Sequence, residues 1–169
     1  YGLQWIAPDP GVRQGRRSKL KVGIPTETAE GEKRVALVPE VAKSLKDKGH
    51  SLFLQSGAGA AAGFRDGDYE AAGVTIVNDL AALLAESEIV LKVMGPADGG
   101  EKLSLREGQI LVSFISPLAN PGTVKTFLDQ KATTFAMELI PRITRAQSMD
   151  ALSSMSTIAG YKASLMAAD

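Results

Sequence analysis

The segment PRITRAQSMDALSSMSTIAGY, Pro141 to Tyr161, gathers two guanidinium groups, an amide, a carboxylate and several hydroxyls in one short span. Arg142, Arg145 and Gln147 follow the apolar run ATTFAMEL, and Asp150 and Ser153 follow them where a helix is expected to begin. A planar guanidinium is a fork for carboxylate or phosphate oxygens, and ligands of open α/β sheets bind at the carboxyl ends of strands. Capping would account for Ser148 as the cap and for Asp150 in the first helical turn. It would not account for Arg142 and Gln147, so the set reads as a binding site.

Two more cations have unusual settings. Arg34 stands between the polar loop TETAEGEK and the apolar VALVP, where it could clamp an anion at the edge of a sheet. Lys92 interrupts the apolar run EIVLKVM, so it must snorkel, pair with an acid or face a site. His50, in KGH, reads as a surface or capping residue. The glycine-rich GAGAAAG, with Gly57, Gly59 and Gly63, resembles a phosphate loop. It runs into FRDGDYE, a poor opening for a packed crossover helix, so a turn with small-residue packing is expected.

The elements that must position these groups are legible as a pattern. KVGIP, SLFLQ, VTIV, EIVLKVM, QILVSFI and ATTFAMEL are apolar runs of strand length. PEVAKSLKDKG, YEAAG, DLAALLAE and PGTVKTFLDQK are helical candidates between them, the first with Val41, Leu45 and Lys48 at helical spacing. Strands apolar on both faces and alternating with helices imply an α/β, doubly wound, mainly parallel sheet with helices on both faces. The lobe is expected over residues 20–147, and 148–169 as a crossover helix.

Composition narrows the chemistry. Lys plus Arg and Asp plus Glu are 19 each, so no global field favours nucleic acid or an anionic membrane. Zero cysteines and one histidine exclude a thiol nucleophile, a disulfide framework and a thiolate or histidine-rich metal site. No apolar run is long enough to span a bilayer. Residues 1–19, with Arg13, Arg16, Arg17 and Lys19 against Asp9, read as an irregular basic arm, either a processed end or the remnant of an organelle-targeting segment.

From about residue 20 onward the sequence resembles the NAD(H)-binding domain of proton-translocating NAD(P) transhydrogenase, its alpha subunit or domain I. The resemblance rests on PRITRAQSMDALSSMSTIAGYKA, KVGIPTETAEGEKRVALVPE, SGAGAAAGF, EIVLKVMGP and LVSFISPLANP. It implies a two-lobed, Rossmann-like domain that binds NADH and passes hydride to NADP held by another domain of a membrane-bound, proton-translocating assembly. By matching positions, Arg142, Gln147 and Asp150, with Ser153 nearby, would contact the nicotinamide side of the nucleotide. Their role would be orientation rather than chemistry, so no catalytic residue and no metal ligand is assigned. The resemblance also implies NADP-binding and transmembrane partners and a place on the cytoplasmic or organellar side of a membrane, mitochondrial matrix or plastid.

The likeness extends to the N-terminal lobe of alanine dehydrogenase, where Arg34 and Lys92 match a carboxylate-binding arginine and an active-site lysine. Ser116 stands where that enzyme's histidine is expected, which argues against reductive amination. The second lobe's glycine fingerprint and ribose-binding acid lie beyond the sequence in hand. Two readings therefore stand: part of a catalytic transhydrogenase subunit, or a short homologue serving as a structural or accessory component of a larger complex. The chain alone is expected to hold no tightly bound NAD(H) and to be inactive.

Overall fold

The computed structural model describes residues 19–96, 100 and 102–168. The basic arm expected over residues 1–19 lies almost wholly outside them. Six strands form one parallel sheet: β1 (Lys21–Ile24), β2 (Ser51–Gln55), β3 (Thr75–Val77), β4 (Ile89–Met94), β5 (Ile110–Phe114) and β6 (Thr133–Ala136). Their order is β3-β2-β1-β4-β5-β6, the doubly wound order of nucleotide-binding sheets. The chain reverses direction across the sheet between β1 and β4, and that boundary is where a ligand crevice forms.

The helices are α1 (Pro39–Asp47), α2 (Asp66–Ala71), α3 (Leu80–Glu86), α4 (Pro121–Asp129) and α5 (Ala151–Ala168). Proline opens α1 and α4, where its missing N–H costs nothing. Asp79 caps α3 by accepting the Ala82 N–H at 2.8 Å. One core cluster joins Val22, Ile24, Leu52 and Leu54 to Ala42 of α1 and Tyr69 of α2. A second joins Val90 and Leu111 to Leu83, Leu84 and Phe127. Gly23 lets α3 approach: a Cβ there would lie 2.1 Å from Ser87 Oγ and 2.8 Å from a Leu83 methyl.

Several expectations are corrected. The buried face of α1 runs through Ala42, while Val41 is 47% exposed. FRDGDYE does open a helix, α2, because the Asp68 carboxylate accepts the Arg65 N–H at 2.8 Å and Tyr69 is fully buried behind it. The ATTFAMEL run is strand only to Ala136, then a 3-10 turn over Met137–Leu139, and Phe135 on this edge strand is half exposed. His50 is half-buried and its Nδ1 accepts the Leu20 N–H at 3.3 Å, joining the entries of β1 and β2.

Candidate functional site

The loop after β6 folds as a 3-10 turn, Thr144–Met149, anchored by the buried Ala146. The helix starts later than the sequence suggests, at Ala151, so the capping role expected of Ser148 falls to Asp150. The Asp150 carboxylate accepts the Ser153 N–H at 3.0 Å and the Ser153 hydroxyl at 2.6 Å. The Ser153 hydroxyl and N–H, and then the Arg142 charge, hold its carboxyl below the usual range. Gln147 belongs to the same turn, its carbonyl receiving the Asp150 N–H at 3.3 Å, and its side chain is exposed. Arg142, Gln147, Asp150 and Ser153 are thus local neighbours on the surface.

Beside this turn lies a cavity of about 460 Å³. Arg34 and Lys92, 58 residues apart in sequence (92 − 34), both line it, as do Ala151, Ser154 and Met155 of α5. Leu91, Val93, Val112 and Phe114 supply apolar wall from the central strands. Lys92 is 4% exposed and its ammonium donates to the Thr26 carbonyl at 3.4 Å.

The acids that serve these cations sit in TETAEGEK, which the sequence marks only as a polar loop. Glu32 accepts Arg34 Nε at 2.8 Å, Nη2 at 2.6 Å and the Arg34 backbone N–H at 2.8 Å. The guanidinium pulls the Glu32 carboxyl down, and Glu32 in turn raises Arg34. Glu27 enters the crevice between β1 and β4, where strand pairing runs only from Val22↔Ile89 to Gly23↔Val90. Its carboxylate accepts the Val93 N–H at 2.6 Å and the Met94 N–H at 3.1 Å, amides that β1 does not reach. Burial raises the Glu27 carboxyl, while those two N–H groups and the Lys92 charge oppose the rise. The signal that could have found Glu27 is its place just after the strand beside the switch point, and for Glu32 it is its place two residues before Arg34.

The glycine loop does not match a pyrophosphate cradle. The Gly57 N–H already serves the Asp66 carboxylate at 2.9 Å, and the Ser56 hydroxyl donates to the same group at 2.7 Å. Gly59 packs against the Tyr69 ring, and Gly63 turns the chain with a φ of +88°. These are the small-residue contacts of a turn. Ser116, at the end of β5, has a φ of 51°; its N–H and that of Ile115, the latter at 3.0 Å, are taken by Glu138. Among the described residues no cluster of three or more His, Asp or Glu side chains could hold a metal, and no helix is long and apolar enough to cross a membrane.

Comparison with known proteins gives this arrangement a lineage. NAD(P) transhydrogenase subunit alpha of Cereibacter sphaeroides is 47% identical over 144 residues, 85% of this chain and 27% of that protein. Alanine dehydrogenase of Halomonas elongata is 38% identical over 144 residues, 85% of this chain and 38% of that protein. The crystal structure of transhydrogenase from Sinorhizobium meliloti superposes with a TM-score of 0.78 at 38% identity, over 88% of this chain and 44% of that one. The chain therefore spans less than half the length of these relatives, and the accessory-subunit reading gains no support from them. The family model for alanine dehydrogenase/PNT, N-terminal domain, matches residues 23–159, and this chain belongs to that family.

Proposed function

We propose that the chain is the N-terminal lobe of the NAD(H)-binding component of an NAD(P) transhydrogenase, an assembly that couples hydride transfer between NADH and NADP to proton translocation. The observation that carries this reading is the surface segment bearing Arg142, Gln147, Asp150 and Ser153, which does not itself line but adjoins, through Ala151 and Ser154, a largely apolar cavity at the carboxyl edge of a nucleotide-type sheet. Residues 20–147 make the lobe, and 148–169 lead toward a second lobe that would hold the rest of the dinucleotide. The greater length of the relatives and the exposed apolar side of α5 support that division.

The residues present fit the nicotinamide end of NAD(H) and not its pyrophosphate. An apolar wall suits an aromatic ring, and exposed amide, guanidinium and hydroxyl groups suit its carboxamide. Asp66 already occupies the Gly57 amide at the head of the glycine loop. When bound, the nucleotide supplies hydride chemistry; this chain supplies orientation and excludes water. NADP-binding and transmembrane components are the partners this function requires, and the location follows them, on the cytoplasmic or organellar side of the membrane.

In the assembled enzyme, Gln147→Ala and Asp150→Asn should slow single-turnover hydride transfer to NADP far more than they weaken NADH binding. Equal losses in rate and affinity would refute an orienting role for this turn.

A further inference from the structure

β5 and β6 pair backbone to backbone as far as Ser113↔Ala136, where the β6 chain turns away into the 3-10 turn Met137–Leu139. The same register carried two residues further would set Glu138 opposite Ile115. Glu138 keeps that pairing with its side chain instead: the half-buried carboxylate accepts the Ile115 N–H at 3.0 Å and also the Ser116 N–H. Charge-assisted bonds of this kind are roughly twice as strong as neutral ones. Ser116 needs them, because its φ of 51° is strained for a residue with a side chain, and such a bend persists only where its surroundings over-determine it. The other side of the bend is held by Asn120, whose Nδ2 donates to the Ile115 carbonyl at 3.0 Å and the Ser116 carbonyl at 3.3 Å. Asn120 belongs to the connection between β5 and α4; of the two, Glu138 alone ties the bend to the chain leaving β6.

That chain runs on through Ile140 and Pro141 to Arg142 and the turn read above as the nicotinamide contact. Its other anchors are few. Ala146 is the buried residue of Thr144–Met149, and no residue of α5 is buried. Met137, beside Glu138, lines the cavity, and α5 touches the same 3-10 turn. We propose that Glu138 is a positioning residue: by holding the Ile115 and Ser116 N–H groups it fixes the direction in which the chain leaves β6, and with it the place of Arg142, Gln147 and Asp150 beside the cavity. The inference rests on the nicotinamide reading and adds the group that aims the turn. Near-attack geometry tolerates little error, since a displacement of about 1 Å caused far from the chemistry costs about a hundredfold in rate.

The test has two arms. In the full 169-residue chain, Glu138→Gln sets an N–H donor against an N–H, and NMR should show the amides of Arg142, Gln147 and Asp150 shifting together with those of Ile115 and Ser116. Asn120→Ala loosens the same bend from its other side and should shift Ile115 and Ser116 without the turn. In the assembled enzyme, Glu138→Gln should slow single-turnover hydride transfer about tenfold or more while NADH affinity changes less than about twofold, a split that loss of stability alone does not produce. Should Glu138→Gln not fold, Glu138→Asp keeps the charge, is too short to span both N–H groups and should show the same pattern. Turn amides that stay still in the Glu138 variant, or shift equally in Asn120→Ala, overturn the proposal. If Gln147→Ala splits rate from affinity and the Glu138 variant does not, the positioning role fails and the nicotinamide reading stands; if neither splits them, both fail.

Discussion

The Asp66 carboxylate holds the Gly57 N–H at 2.9 Å, closing the glycine loop after β2 on an internal anion. A dinucleotide is gripped mainly through its pyrophosphate by such backbone amides. With this one engaged, the isolated chain should show no saturable binding at micromolar NADH by calorimetry or nicotinamide fluorescence, and no transhydrogenase or alanine dehydrogenase turnover. Saturation in that range would restore Gly57, Gly59 and Gly63 as a phosphate loop.

Gly23→Ala should destabilise the fold by about 1–3 kcal/mol, because the new methyl would collide with Ser87 Oγ and Leu83 where α3 lies on β1. Urea unfolding should show the midpoint falling. Ser87→Ala in the same chain removes the nearer obstacle and should return part of the loss, a coupling that a double-mutant cycle measures.

Tyr69 is fully buried and its hydroxyl donates to the Leu37 carbonyl at 2.9 Å. Tyr69→Phe should cost about 0.5–1.5 kcal/mol. Burial, with the negative charges of Asp66 and Asp68 beside it, raises the phenol to about 12. The folded state therefore keeps its proton while the unfolded chain, with a pKa of about 10, begins to lose it. The stabilisation is whole below that lower value and drains away as pH climbs to the folded one. Tyr69→Phe should flatten this alkaline decline, followed as unfolding midpoint against pH.

Asp150 carries the opposite sign. Its depressed carboxyl stabilises the start of α5 above the unfolded value, and this support is lost as pH falls through the folded one. Far-UV circular dichroism should show helix content falling on acidification, and Asp150→Ala should remove that step. Ser153→Ala should shift it toward higher pH by deleting the hydroxyl that accounts most for the depression.

Much of the sheet was legible because its central strands carry their own signal. SLFLQ is β2 over its full length, Ser51–Gln55, and EIVLKVM loses only its first residue. The β6 run misled because apolar content alone does not mark where extension ends; the 3-10 turn at Met137 is set by Glu138 reaching back to Ile115 and Ser116, 23 and 22 residues earlier. The exposed residues of the 142–153 loop announced themselves by type, since guanidinium, amide and carboxylate groups cluster visibly in sequence. Glu27 and Glu32 did not. Their importance comes from the contacts they make, and Glu27 meets Val93 and Met94 only after three more strands and three helices have been laid down.

The 18 residues of α5 include none that is buried, and Ile158, Tyr161, Leu165 and Met166 stand half or more exposed around a single lysine. Most helices in proteins owe their stability to an apolar face packed on something else rather than to propensity. Melting of this chain should therefore be split: the sheet and α1–α4 unfold as one cooperative block, while α5 exchanges its amide hydrogens nearly as fast as free peptide and frays at much lower temperature. The same side chains make colloidal behaviour depend on concentration, with light scattering rising as dilute samples are concentrated.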